Sequence, residues 1–509
     1  MRLTQRLRSF QGSTKSKNSP SVRWRGICVA DARNTGQSMF GRLKRTGIAV
    51  AISLSALPSH ATTLADALAQ AYQTNPQLLA QQAALRATDE GVISARANLL
   101  PTLSQTLTVN RTTDYNTPKV SPSPLLPSRN PTTFWNHNTQ LTIQLFDGGA
   151  DRLGVEAARM TVLAGRQALR ELEQVILFNT VQAFMNVRRD QQFVRLARNN
   201  VRVLGEQVRA AKDRFAVGEV TRTDVAQAEA RLAAARSQLE TNLGNLRFSE
   251  SAYTAVVGTP PRDLRNPPPA PVLPNSADKA EAVALRKHPR IMQAQFNAKA
   301  AELTAQATTK NRHPTISGQL DYDFGARAGG NELSTDELSA SIVGQWTLYQ
   351  GGRLDSNRRR DVALLQQALS NVQQSGYLTR QGLRDAYTNW QVASASIQSN
   401  REQVRAAQVA FDGVREEAKL GARTTLDALD AEQELLSARS QLVTAIRDQY
   451  VAQYQVLAEM GLLTAEHLGL GVPIYNPDVN TAASNHQQLG ILGDKRIKLL
   501  EKLKKRKGD

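Results

Sequence analysis

What most constrains the fold of this chain is that its landmarks occur twice, in the same order. Asn75-Pro76 returns as His288-Pro289 and Pro101 as Pro314, each 213 residues later (289 against 76). Phe146-Asp147-Gly148-Gly149 returns as Tyr349-Gln350-Gly351-Gly352, Ala216-Val217-Gly218 as Lys419-Leu420-Gly421, and Val257-Gly258 as Met460-Gly461, now 203 residues later (351 against 148). The offset drops between the proline and the double glycine, so the first copy carries the longer insertion there. Such a recurrence in 509 residues favours one repeat structure over a string of unrelated domains.

The formal charge of +18 invites a nucleic-acid partner, but its location argues against one. Residues 1–61 hold 11 Lys/Arg against one Asp, and residues 494–509 hold eight against three acids, which leaves +3 for the body. Residues 1–38 read as a basic leader, disordered or an over-called start, because they lack an apolar face. Residues 39–61 read as a signal peptide: Arg42, Lys44 and Arg45 precede an apolar run from Gly47 to Leu57, and Ser59-His60-Ala61 is a small-x-small cleavage site. A short buried helix is the competing reading of that run. Cys28 falls in the leader, so the exported chain would hold no cysteine for disulfides, thiolate metal sites or a lipid anchor. No later segment approaches the roughly 20 apolar residues of a spanning helix. A membrane-spanning form of this chain would have to use strands.

Each copy offers two strands, expected at about 102–112 and 135–146, then about 315–325 and 338–349. Leu103, Leu107 and Val109 alternate with Ser104, Thr106 and Thr108, and Leu141, Ile143 and Leu145 with Gln140, Thr142 and Gln144. In the second copy Ile316, Leu320, Tyr322 and Phe324 oppose Ser317, Gln319, Asp321 and Asp323, while Leu338, Ile342, Trp346 and Leu348 oppose Ser339, Ser341, Gln345 and Thr347. This suits outer-membrane strands with one face to lipid and one to a wet lumen. A soluble sheet covered on one face shows the same alternation. Four strands in lipid would leave two raw edges, and a closed barrel needs at least about eight strands. One chain cannot close it; three copies give a twelve-stranded barrel. The loops at 112–133 and 326–335 would then lie outside the cell.

After Gly149 no strong break occurs until Gly218. Val187, Val194, Ala197, Val201, Leu204, Val208, Ala211 and Phe215 share a three-four spacing, as do Ile397, Val404, Ala407, Phe411, Val414 and Ala418 in the second copy. Returning helices repeat it with Val225, Ala228, Leu232, Ala235 and Leu239, and with Ala428, Ala431, Leu435, Ala438 and Leu442. A helix from about Asp151 to Phe215 would run on the order of 100 Å. Segments 62–100 and 276–313 are shorter helices bent at Asn75-Pro76 and His288-Pro289. The chain thus divides into repeat 1 (62–258, tip at 218), a proline-rich linker (259–275), repeat 2 (276–461, tip at 421) and a C-terminal extension with a basic tail (462–509). The fold class is an α+β membrane protein: a trimeric β-barrel, four strands per chain, continued by a long helical barrel of coiled-coil hairpins. An ordinary coiled-coil rod competes, but a rod has no use for strands.

Signal, two copies, four strands and two long hairpins with glycine at their tips together resemble the TolC family of outer-membrane efflux and secretion channels, over roughly residues 62–470. The tips are most specific: Arg214-Phe215-Ala216-Val217-Gly218-Glu219-Val220-Thr221-Arg222-Thr223-Asp224 and Leu420-Gly421-Ala422-Arg423-Thr424-Thr425-Leu426-Asp427-Ala428-Leu429-Asp430, the first worded most like the type I secretion branch. The resemblance implies a homotrimer in the outer membrane of a Gram-negative bacterium, its helical part in the periplasm. A periplasmic adaptor (membrane fusion) protein would bridge it to an inner-membrane ABC or RND pump and open its tip. Val217, Gly218, Leu420 and Gly421 would be the adaptor-docking tips. Asp427 and Asp430 would line the closed entrance, with Arg423 bonding across to Thr223 and Asp224 at a second link. The aromatic partner of that second link is here Ala418, so one family latch is missing.

On spacing alone, Gly218 and Gly421 are also the left-handed residues expected to end helices, and Thr221-Asp224 and Thr424-Asp427 fit capping boxes. Asp430 has no capping role, and its counterpart is Gln227. No enzyme is indicated. The double glycines lack the Lys or Ser of a phosphate loop, and six His without ligand spacing suggest neither metal nor cofactor. A periplasmic coiled-coil scaffold outside the membrane remains the rival function. The tail at 494–509 reads as a short basic amphipathic helix or a disordered end.

Overall fold

The computed structural model describes residues 62–116, 128–274, 276–328 and 333–480, all within the second of the chain's two units, residues 60–509. The leader with Cys28, the signal at 39–61, the centres of both strand-to-strand loops and the basic tail lie outside the described residues.

The elements run α1 Leu64–Thr74, α2 Pro76–Ala97, β1 Thr102–Asn116, β2 Ser128–Phe146, α3 Ala150–Ala216, α4 Arg222–Val257, then α5 Ala277–Lys287, α6 Pro289–Lys310, β3 Thr315–Ala328, β4 Leu333–Gln345, α7 Arg353–Lys419 and α8 Thr425–Glu459. At 67 residues each, α3 and α7 extend on the order of 100 Å. Their partners are shorter and stack end to end. α4 covers the tip half of α3 and α2 the sheet half, while α8 covers the tip half of α7 and α6 packs between α3 and α7.

The two X-Pro sites are the joints of these stacks. Asn75, buried, accepts the Gln77 amide at the start of α2 and donates to the Val256 carbonyl at the end of α4, 3.0 Å away. One side chain thereby satisfies orphan groups at two helix ends. At the equivalent joint His288 Nδ1 accepts the Arg290 amide, and Gly461 sits so close that a Cβ there would lie 2.9 Å from the His288 Cα. Burial, reinforced by Arg290, holds His288 down at about 4, so it caps as a neutral ring.

The main core lies midway along the long helices, where these joints meet. Leu177, Val181 and Phe184 of α3 and Leu383 of α7 pack with Leu64 and Leu68 of α1, Tyr253, Leu457 and Leu463. The linker is strapped over it. Leu264 and Leu273 are buried in the cluster, the Arg188 guanidinium donates to the Leu264 carbonyl at 2.8 Å, and the Tyr450 hydroxyl donates to the Pro268 carbonyl. Towards the tips the seams thin to Ala-rich contacts such as Val208, Ala211 and Ala228. Phe215, expected in that seam, is instead 47% exposed, because α3 ends beside it.

The four strands form one antiparallel sheet, ordered β1-β2-β3-β4, with β1 and β4 as free edges. Pairing places Leu103, Leu141, Leu320 and Ala340 in one row on one face, and Ser104, Gln140, Asp321 and Ser339 in the adjacent row on the other. Among the described residues no helix packs on either face, and Leu103, Leu107, Leu338 and Ile342 are each about 70% exposed. On the polar face Asp323 accepts from Asn138 at 2.9 Å.

Five strand limits differ from expectation. β1 and β2 extend to Asn116 and from Ser128, and Pro131 lies in the part of β2, residues 128–132, that pairs with β1 beyond the described end of β3. β3 likewise reaches Ala328, and β4 starts early, at Leu333. β4 also stops at Gln345 rather than 349. Trp346 turns out of the sheet, its indole donating to the Arg312 carbonyl at 3.1 Å, as the chain bends towards Gly351-Gly352.

Candidate gate and docking tips

Both hairpins turn in the same way. Gly218, at φ 81°, donates its amide to the Phe215 carbonyl while Glu219 donates to the Arg214 carbonyl; Gly421, at φ 76°, donates to Ala418 and Ala422 to Glu417. These paired bonds close the last turn, and the left-handed backbone demands glycine. Val217 and Leu420 are left 71% and 86% exposed at the apices. The candidate docking residues are therefore an apolar knob on each tip.

The returning helices begin with the expected capping boxes. Thr221 and Asp224 bond reciprocally, as do Thr424 and Asp427. The Thr221 hydroxyl and amide hold Asp224 below the usual carboxylate range, and those of Thr424, aided by Arg423, do the same for Asp427. Arg423 itself pairs with Glu417 in its own tip, at 3.0 Å. Among the described residues the Arg423 guanidinium is held by Glu417 rather than by Thr223.

Asp430 is where the hairpins meet. Arg231 of α4 donates to its carboxylate at 2.7 Å, joining the first hairpin to the second. Two residues further along α8, Gln207 of α3 donates to Glu432 at 2.7 Å, beside Leu429, which packs on Leu204 and Ala235. Arg231, Gln207, Leu429 and Glu432 carry this contact, and none was evident from the seam pattern. The one sequence signal is that the copies differ there: Arg231 answers to Glu434 and Gln227 to Asp430. Among the described residues these are the side-chain bonds that tie the hairpins together near the tips; farther up, Arg447 of α8 also donates to Asn186 of α3 at 2.9 Å.

Glu432 is buried at 8% exposure, and burial pushes it up to about 7 against the opposing pull of Gln207 and Arg415. A raised carboxyl favours the folded contact when protonated. That contribution is complete below the ordinary value of 4.5 and is lost as pH climbs through 7, by on the order of 3 kcal/mol. Amide exchange along residues 429–435, corrected for intrinsic rates, should therefore quicken from pH 5 to pH 8 in the wild type and stay flat in Glu432→Gln. Equal pH dependence in both would remove Glu432 as the cause.

A sequence profile described as outer membrane efflux protein matches residues 67–259 and 282–462. The outer membrane efflux protein BepC of Brucella suis is 35% identical over 84% of this chain and 92% of its own. The proteases secretion protein PrtF of Dickeya chrysanthemi is 25% identical over 79% of this chain and 88% of its own. Among solved structures, the Campylobacter jejuni CmeC outer membrane channel superimposes with a TM-score of 0.68 at 14% identity, over 84% of this chain and 90% of that one, which shows a shared fold. The chain is an outer-membrane protein and belongs to the outer membrane efflux protein family, the channel family of TolC.

Proposed function

We propose that three copies of this chain close a twelve-stranded barrel in the outer membrane, continued by a helical tunnel across the periplasm, and that this is the passive exit duct of a tripartite export system. The observation that carries the reading is the sheet: two unpaired edges and an oily face that no helix among the described residues covers. Lipid supplies the cover and neighbouring protomers the edges. Along the helices, Val392 and Val409 of α7 and Phe248 of α4, all at least 60% exposed, are natural seams between protomers. A periplasmic adaptor docks on the apolar tips at Val217-Gly218 and Leu420-Gly421 and couples the duct to an inner-membrane ABC or RND pump.

At rest Asp427 and Asp430 of three chains face one another in a ring of six carboxylates that draws in and holds divalent cations, with Arg423, Thr223 and Asp224 at its rim. Opening separates the hairpins at Arg231–Asp430 and Gln207–Glu432. The names of BepC, an efflux protein, and PrtF, a proteases secretion protein, support both efflux and protein secretion as cargo routes.

A periplasmic scaffold would leave the oily face in water. Outer-membrane fractionation, heat-modifiable trimer migration in a detergent gel and conductance in a planar bilayer separate the two. The duct predicts all three, and a folded, monodisperse monomer that stays with the soluble fraction overturns it.

A further inference from the structure

The corner where β4 passes into α7 combines an apolar and a basic surface at one level. Trp346, Leu348 and Tyr349 are 62%, 77% and 85% exposed and follow directly on the end of β4 at Gln345. Directly after them, the first eight residues of α7 include Arg353, Arg358, Arg359 and Arg360, spread over roughly 12 Å of helix. Acidic groups nearby are committed. Asp355 pairs with Arg312 and Asp361 with Arg360 and Thr308, while Arg353 is held by the Gln350 side chain at 2.8 Å. Arg358 and Arg359 are exposed and have no carboxylate partner among the described residues. Counting Lys310 and Arg312, which close the neighbouring corner, six cations face two acids. The first half has no such excess, since Ala150, Val155, Glu156 and Ala157 occupy the positions of the four arginines.

We propose that this corner is a docking surface for anionic phospholipid headgroups of the periplasmic leaflet, three per trimer, with Trp346, Leu348 and Tyr349 in the acyl boundary and Arg358 and Arg359 on lipid phosphate. The inference rests on the membrane-inserted trimer proposed above. Its arguments are charge complementarity and position. The headgroup layer begins where the sheet ends and is about 5–8 Å deep, and the long side chains of Arg358 and Arg359, roughly 8–9 Å along α7, snorkel back into it. Aromatic rings at that boundary with arginines just beyond are the arrangement that interfacial chemistry favours. Two cations beside an anionic surface warrant roughly a 30-fold preference over a zwitterionic one.

Native mass spectrometry of the detergent-purified trimer with added phosphatidylglycerol or phosphatidylcholine tests this. The wild type should retain phosphatidylglycerol preferentially, and Arg358→Gln/Arg359→Gln should lower that preference about 30-fold while still migrating as a trimer. Arg359→Gln alone should give an intermediate loss, in case the double variant does not assemble. Equal retention of both lipids by the wild type, or an unchanged preference in a trimeric variant, overturns the proposal. So does arginine-dependent binding to peptidoglycan sacculi without lipid preference. Failure to purify as a trimer would count against the duct instead.

Discussion

Leu338→Arg is expected to abolish the outer-membrane trimer, whereas Ser339→Arg, one residue away, leaves it in place. Leu338 lies near the middle of β4 on the oily face, 70% exposed and paired with Tyr322. Ser339 projects to the other face, opposite Asp321. An arginine on the lipid side costs about 2–4 kcal/mol near the bilayer midplane, and a trimer takes it three times. The total, roughly 6–12 kcal/mol, rivals the whole stability of an ordinary domain. On the other face the same side chain meets water and a carboxylate, so it costs little. Gel migration and membrane fractionation of the two variants read the difference. Equal behaviour would mean that the apolar face does not meet lipid.

Features set by near neighbours in sequence were legible before the structure. The tip glycines, the Thr221–Asp224 and Thr424–Asp427 boxes and the length of α3 follow from local rules. The alternation of the strands was legible too, but not their ends. β4 ends early because Trp346 finds the Arg312 carbonyl. Asn75 read as a bend; its second bond, to the Val256 carbonyl, required knowing that α4 ends there. The contact between hairpins was hidden for a related reason. Leu429 sits one position beyond the Ala428 seam of its own hairpin, on the face turned towards α3, and only the crossing of two hairpins reveals that face. Glu229 and Glu432 occupy equivalent positions, yet one pairs with Lys212 on the surface and the other is buried on Gln207.

Removing the entrance acids should open the channel electrically. Asp427→Ala with Asp430→Ala is expected to raise single-channel conductance several-fold in planar bilayers and to weaken divalent block about tenfold, the equivalent of ~1.4 kcal/mol per ion. Asp427 also caps α8, and losing a cap costs about 1 kcal/mol, so part of any change in the double variant could come from a frayed tip. Asp430→Asn isolates the charge, because Asp430 caps nothing. Arg231→Ala separates charge from mechanics. Its ion pair is about half exposed on both sides and is worth no more than about 1 kcal/mol as a tie, but its loss leaves Asp430 uncompensated. Divalent block should then strengthen in Arg231→Ala while it weakens in Asp430→Asn. A tie acting only mechanically would instead move both variants the same way, towards higher conductance, because either substitution breaks the same bond. Unchanged conductance and unchanged block in the double acid variant would remove Asp427 and Asp430 from the gate and place the constriction elsewhere along the tunnel.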